Sequence, residues 1–223
     1  MEALYDRMAQ SVAALPQEED KKVASSILAW AACALRLLTI EELSLVLEGE
    51  VLRPLDLQRS IGDLCGGFVV IDNDGNVAMI HQTAREYLID EQIRPFSIDR
   101  SSAHELLFLR CMSCLTDLGL RSKINRRQAL PFLDYAATSW FYHLSNTSTS
   151  SPRMFNTLNS FFKSAAVLTW IHCLAQANRL RILVLASTQI SHFISKQKEE
   201  TASQKTYLEA WATDLVKIVG TNY

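Results

Sequence analysis

Apolar residues recur at helical spacing through the first third of the chain. The pattern predicts a short first helix over about Ala3 to Leu15. The following segment, KKVASSILAWAACALRLL, places five apolar residues on one face of a second helix: Ala24, Ile27, Leu28, Ala31 and Leu35. The fold is therefore expected to begin with amphipathic helices.

Two further helices are predicted from their start and stop signals. Thr39 and Glu42 have the spacing of a capping box, in which the hydroxyl bonds a free backbone N–H and the carboxylate reaches back to another. Pro54 is placed to open the next helix, whose apolar residues follow at positions i, i+4 and i+7: Leu57, Ile61 and Leu64. The pair Gly66 and Gly67 ends that helix, because glycine accepts the left-handed conformation.

The period then changes from helical to extended. FVVID and NVAMI are short β-prone runs on either side of Asn73, Asp74 and Gly75, and Asp-Gly between apolar runs predicts a hairpin. Thr83 and Glu86 repeat the capping-box spacing and are expected to start a closing helix. Three helices, a hairpin and a closing helix form the pattern of a winged helix, from about residue 21 to residue 91.

From about Ser101 onward the pattern is helical. Two stripes of apolar residues mark the first two helices of this part: Leu107, Cys111, Cys114, Leu115 and Leu118, and then Leu133, Ala137, Trp140 and Leu144. A polar loop is predicted at 145–152. Three stretches follow it: 153–177, broken near Lys163; 180–195; and 207–219, whose apolar stripe is Leu208, Trp211, Leu215 and Ile218.

These elements predict a mainly α protein, a winged helix followed by an all-helical bundle. The expected domains are a connecting helix at 1–20, the winged helix at 21–95 and the bundle at 96–223.

Composition and charge narrow the possible functions. The 223 residues are 48% hydrophobic and 21% charged, with 22 Lys and Arg against 24 Asp and Glu, so no overall field attracts nucleic acid or an anionic membrane. Neither a secretory signal nor a membrane-spanning run is present. Five scattered cysteines suit reduced thiols. A cytoplasmic protein is expected.

The recognisable catalytic and metal motifs are absent or incomplete. Cys111 and Cys114 have the spacing of a metal or redox pair, but both fall on an apolar helical stripe, which favours core packing. His104 and Glu105 begin like a zinc-protease motif, yet Phe108 stands where its second histidine would be, so both are expected to face solvent. The sequence has no nucleophile elbow and no phosphate loop. We expect neither an enzyme nor a metal site.

A winged helix raises the hypothesis of DNA binding, which the local charge disfavours. Residues 39–80 hold two arginines and eight carboxylates, a balance of −6. Asp72 and Asp74 lie in the wing itself and would repel phosphates, whereas DNA affinity depends on Lys and Arg contacts to phosphate.

One histidine, His81, stands between the hairpin and the closing helix. The start of a helix favours anions such as phosphate and disfavours a protonated ring, so His81 is a candidate neutral donor to a phosphate. The alternative is a packed or solvent-bridged histidine with no ligand.

Four segments together resemble the winged-helix and following helical segments of fungal NACHT-type STAND NTPases, the NLR-like proteins. They are ILAWAACALRLLTIEELSLVL, IGDLCGGFVVID, IHQTAREYLI and LPFLDYAATSWFYHL. The winged-helix region also carries a name taken from GPI inositol-deacylase, although this chain has no esterase motif. The resemblance covers roughly residues 1 to 145.

The resemblance implies a role in nucleotide-dependent signalling. In that class the winged helix closes over ADP or ATP held by the NTPase domain, and a Met-His-Asp-like triplet contacts the diphosphate of ADP. Ile80, His81 and Gln82 occupy the matching positions, so His81 is the implied contact, while glutamine replaces the aspartate that usually assists it.

This chain lacks the phosphate loop and the magnesium-binding strand of such an NTPase. The resemblance therefore implies a fragment of a longer protein, or a separate piece that meets a NACHT-type NTPase domain in trans. Three functions are carried forward: a regulatory module that links such a domain to a sensor, a helical protein-interaction adaptor, and a DNA-binding regulator.

Overall fold

Helices dominate the protein, with one small sheet in the N-terminal half. A computed structural model describes residues 2–47, 57–90, 94–147, 151–197 and 202–220. The chain divides into two compact units, Met1–Ala103 and His104–Tyr223. The first unit is a winged helix and the second a helical bundle, as the sequence predicts. The boundaries of the three domains drawn from the sequence stay predictions.

The first unit contains the helices and strands of the winged helix. Their bounds are α1 (Glu2–Ala13), α2 (Glu18–Cys33), β1 (Leu38–Thr39), α3 (Ile40–Leu47), α4 (Leu57–Leu64), β2 (Val69–Ile71), β3 (Asn76–Met79) and α5 (Gln82–Ile89). The helix start predicted at Pro54 lies outside the described residues.

The hairpin predicted from the Asp-Gly signal is present, and it belongs to a three-stranded antiparallel sheet. β2 pairs with β3 through Val69 and Met79, and Gly75 at the turn has φ +78°. β1 pairs with the other edge of β3 through Leu38 and Val77, so the order is β1-β3-β2. The sequence pattern does not predict β1, because a two-residue strand has no periodicity to detect.

The Thr39–Glu42 capping box is confirmed. The Glu42 N–H donates to Thr39 Oγ1 at 3.1 Å, and the Thr39 N–H donates to Glu42 Oε2 at 2.9 Å. The buried face predicted for the preceding helix is wrong at its end. α2 stops at Cys33, so Leu35 lies beyond the helix and remains 49% exposed.

Aromatic side chains join the first helix to the rest of the first unit. The Tyr5 ring lies 6.2 Å from Phe68 and 5.5 Å from Tyr87, measured between ring centroids. The Tyr87 hydroxyl donates to Asp6 Oδ1 at 2.5 Å, and the three rings are buried. α1 therefore packs against the winged-helix core.

The second unit is all-helical within its described residues. Its helices are α6 (Arg100–Leu115), which contains the division between the units, α7 (Leu120–Asn125), α8 (Leu133–Ser145), α9 (Pro152–Lys163), α10 (Ala166–Gln176), α11 (Ile182–Ser195) and α12 (Ala202–Gly220). The predicted break near Lys163 is confirmed. The short α7 was not predicted, and the predicted polar loop lies partly outside the described residues.

The sequence predictions for three residues in or near α6 are wrong. Leu118, assigned to the apolar stripe, lies beyond the helix end and is fully exposed. His104, expected to face solvent, is only 2% exposed, because it packs against His143 of α8. Glu105, expected to face solvent as well, is half-buried and accepts a hydrogen bond from the Ser151 hydroxyl at 2.9 Å.

The core of the second unit is built around Trp140. Its ring is fully buried and contacts Trp170 at 5.4 Å and Phe161 at 6.0 Å between centroids. Trp170 Nε1 donates to the Ala137 carbonyl at 2.8 Å, which ties α10 to α8. None of the described helices has both the length and the hydropathy needed to cross a lipid bilayer.

Candidate functional site

His81 is the N-cap of α5, the position from which a side chain bonds the free N–H groups of the first helical turn. Its backbone is extended, with φ −159° and ψ 153°, and its Nδ1 accepts a hydrogen bond from the Thr83 N–H at 3.2 Å. The predicted Thr83–Glu86 capping box is therefore wrong. Thr83 lies inside the helix, and Glu86 Oε1 accepts from the Gln82 side chain at 3.1 Å instead.

A short chain of hydroxyl groups supports the imidazole. Thr83 Oγ1 lies 2.8 Å from His81 Nδ1 and 2.7 Å from the Tyr5 hydroxyl. A nitrogen that accepts from a backbone N–H carries no proton, so the neutral ring carries its proton on Nε2. The cap therefore presents Nε2–H as a hydrogen-bond donor.

The imidazole is accessible rather than packed. His81 is exposed, and so are its neighbours Ile80 and Gln82. Within the described ranges, the ring makes its hydrogen bonds through Nδ1 alone. A packed ring is therefore excluded, whereas the solvent-bridged ring is not. Because Nδ1 is occupied, Nε2 is the nitrogen left for an external group.

His81 lines a cleft of about 340 Å³ in the first unit. This volume is at the lower end of the range for small-ligand sites. The end of α2, the segment that follows it, β3 and the first turn of α5 form its walls. The lining residues that matter to its chemistry are His81, Gln82, Arg85, Arg36, Leu35 and Leu37.

The cleft is cationic although the surrounding winged helix is acidic. Its described lining contains two arginines and no carboxylate. The Arg36 guanidinium donates two hydrogen bonds to the Glu42 carboxylate, from Nη1 to Oε2 at 2.8 Å and from Nη2 to Oε1 at 2.6 Å. Burial acts to raise the pKa of Glu42, but hydrogen bonds from Arg36 and Thr39 outweigh it and lower the pKa, so this pair is charged. Arg85 has no such neighbour in the lining.

The wing, which is the β2–β3 hairpin, carries carboxylates where a DNA-binding wing would carry cations. Asp72 Oδ1 accepts from the backbone N–H groups of Asp74 and Asn76, at 2.9 and 2.8 Å. Hydrogen bonds from the side chain and backbone of Asn76 lower the pKa of Asp72, which keeps it ionised. A wing of this kind repels a nucleic-acid backbone.

The cysteines of α6 do not assemble into a metal site. Cys111 is buried and Cys114 half-buried, and burial raises the pKa of the Cys114 thiol to about 11. In the part of the chain that the structure describes, no three His, Cys, Asp or Glu side chains come together as metal ligands do.

Residues 7–101 match the family model of the GPI inositol-deacylase winged helix domain. This match covers most of the first unit, including His81 and the whole cleft. The domain is found in NACHT-containing proteins, and it is not a catalytic domain. No curated protein and no solved structure matches the chain.

Proposed function

We propose that this chain is a non-catalytic regulatory module that closes over a NACHT-type nucleotide-binding domain, supplied in cis or in trans. In the closed state His81 donates from Nε2 to a phosphate of ADP held by that domain. The second unit connects the winged helix to a sensor region.

The observation that carries the proposal is the use of His81 as an N-cap. The bond from the Thr83 N–H at 3.2 Å occupies Nδ1 and assigns the proton to Nε2. The ring stands at the positive end of α5, where anions are stabilised. A fixed, accessible donor in a cationic cleft suits a phosphate better than it suits a neutral ligand.

The rim of the cleft suits a docked protein domain. Three aliphatic side chains near His81 are about half exposed, with values of 49%, 45% and 51%: Leu35, Leu37 and Ile80. Exposed aliphatic side chains of this kind are typical of the apolar core of a protein interface. Docking would cover these side chains and exclude water from the phosphate contact.

The mechanism is a population shift rather than a chemical step. Contacts made only in the closed state stabilise that state, and by linkage they raise the affinity of the paired NTPase domain for ADP. Activation then requires a sensor signal that favours the open state.

The test joins this chain to a NACHT domain and follows the release of a fluorescent ADP analogue. We expect slower release than from the NACHT domain alone, and His81→Ala should restore fast release. His81→Asn is the matched variant, because asparagine is a good N-cap but lacks the imidazole donor; it should also release ADP quickly. Equal release rates in all these proteins would contradict the proposal.

A second candidate, a helical adaptor without a nucleotide link, is favoured by features of the second unit. A groove of about 620 Å³ is lined by residues of α9 and α10 and by residues 115–121. Leu168 and Leu185 are 58% and 55% exposed. Affinity capture with the full chain separates the candidates: an NTPase partner favours the first, and unrelated partners favour the second.

A further inference from the structure

Arg85 shares the cleft with His81. His81 is the N-cap of α5, and Arg85 lies in the first turn of the same helix. Both line the cleft of about 340 Å³. An anion bound by His81 in this cleft therefore shares the cleft with a guanidinium group.

The guanidinium of Arg85 has an unused donor. Its Nε is buried and has no hydrogen-bond partner among the described residues. Buried donors are nearly always paired, so an unpaired one needs an explanation such as a role in binding. Arg36, the other arginine of the lining, differs because both of its terminal nitrogens bond Glu42.

The charge of Arg85 is close enough to the end of α2 to affect a thiol there. Burial raises the pKa of the Cys33 thiol, and the positive charges of Arg85 and Arg100 partly offset that rise. Cys33 is the last residue of α2 and is 3% exposed. The guanidinium therefore acts on the wall of the cleft formed by the end of α2.

We propose that Arg85 is a second phosphate-binding residue of this cleft and that it binds the diphosphate of a nucleotide jointly with His81. This inference rests on the proposed function and adds a binding residue to it. His81 supplies one neutral donor, whereas Arg85 supplies a positive charge and parallel N–H groups that match phosphate oxygens. The arginine contributes most of the electrostatic attraction, and the histidine fixes the position of the phosphate.

The test uses the full chain and inorganic pyrophosphate. Arg85→Gln removes the charge, Arg85→Lys keeps it without the fork, and Arg7→Gln removes an equal charge at an exposed site on α1. Arginine Nε–H groups give their own NMR signals, so the Arg85 Nε–H signal reports a change in the surroundings of the guanidinium. We expect pyrophosphate to shift that signal in the wild-type chain, and Arg85→Gln to weaken binding about tenfold or more. Arg85→Lys should weaken it less, and Arg7→Gln should bind like wild type.

Three results with pyrophosphate would overturn the inference. The first is an Arg85 Nε–H signal that does not move at saturating pyrophosphate, and the second is a wild-type chain that does not bind it. The third is equal affinity in the wild-type chain and Arg85→Gln. Adenosine, which has no phosphate, is the control ligand and is compared with ADP. If adenosine binds as tightly as ADP does, the cleft is not a phosphate site.

Two patterns of results distinguish a failure of this inference from a failure of the proposed function. If His81→Ala speeds ADP release from the joined NACHT domain and Arg85→Gln does not, the regulatory module stands and Arg85 is not part of it. If pyrophosphate binds through Arg85 but the chain leaves ADP release unchanged, the anion site stands and the regulatory proposal fails.

Discussion

The imidazole rings of His104 and His143 share a buried hydrogen bond, with their Nδ1 atoms 2.9 Å apart. His143 Nε2 continues the chain to the Tyr135 hydroxyl at 2.8 Å, and the three side chains are buried. Only one proton fits between the two Nδ1 atoms, so at most one of the two rings can be protonated while this bond is made. Burial, together with the neighbouring His104, lowers the pKa of His143 to about 3.

The hydrogen-bonded series His104, His143 and Tyr135 predicts that mild acid lowers the stability of the second unit. In the unfolded chain His143 takes up a proton near pH 6.5, whereas in the folded protein it stays neutral until about pH 3. Its contribution to stability is therefore complete above pH 6.5 and falls as the pH drops. We expect the free energy of unfolding to decrease by about 1.4 kcal/mol per pH unit below pH 6.5. Urea unfolding followed by tryptophan fluorescence at pH 7, 6 and 5 measures it.

His143→Gln should flatten this pH dependence between pH 6.5 and 5, whatever it does to the absolute stability. His192→Gln is the matched control, because His192 is exposed on α11. A wild-type slope that persists in His143→Gln would show that other groups cause the effect.

The fork between Arg36 and Glu42 predicts a loss of stability when the carboxylate is neutralised. Glu42 is 4% exposed and accepts three hydrogen bonds, two from Arg36 and one from the Thr39 N–H. Because Arg36 is partly exposed, we expect Glu42→Gln to lower the free energy of unfolding by about 1–3 kcal/mol rather than by the full cost of a buried pair. Chemical unfolding measures it, with exposed Glu41→Gln on the same helix as control.

The stability contributed by the Arg36–Glu42 pair depends on pH through the protonation of the Glu42 carboxylate. The pKa of Glu42 is lowered in the folded protein, so its contribution is present above about pH 4.5 and is lost as the pH falls through the lower folded value. Glu42→Gln should therefore lose less stability than the wild-type chain between pH 5 and pH 3. If the free energies of unfolding of the wild-type chain and of Glu42→Gln fall equally between pH 5 and pH 3, this account of the pair is wrong.

The elements of the winged helix could be predicted because their signals are local. The Thr39–Glu42 box and the Asp74–Gly75 turn each depend on a few neighbouring residues. The prediction failed at Thr83 because two candidate caps lie two residues apart. The Ile80 N–H donates to the Phe68 carbonyl at 2.8 Å, which fixes the chain just before α5, and the helix then begins at Gln82 with His81 as its cap.

Only the part of the candidate site that neighbouring residues encode can be predicted from the sequence. His81 was found from its place between a strand and a helix, which is a local pattern. Arg85 looks like any charged residue on a helix, and its importance depends on α2 and the hairpin, which complete the cleft. The sequence pattern places His104 in solvent, because nothing near it in sequence reveals its partner His143, which is 39 residues away.

The capping role of His81 predicts a stability effect that is separable from nucleotide binding. His81→Ala removes the acceptor for the Thr83 N–H and should lower the free energy of unfolding by about 1 kcal/mol. His81→Asn restores a good cap and should stay near wild type. Thermal or urea unfolding of the isolated chain measures both. Equal stability of the three proteins would mean that another group or water replaces the cap.

The contact between α1 and the end of α4 predicts opposite effects for two alanine substitutions. Gly66 has φ +59°, and a Cβ there would lie 2.5 Å from the Met8 carbonyl oxygen and 2.9 Å from Val12 Cγ2. Gly66→Ala is expected to cost at least about 1–2 kcal/mol, because it adds backbone strain and pushes α1 away. Gly62 lies in α4, and a Cβ added there would meet nothing within 4 Å, so Gly62→Ala should gain about 0.5–1 kcal/mol from helix propensity. Urea unfolding of both variants measures the difference, and wild-type stability in Gly66→Ala would mean that α1 does not hold this position in solution.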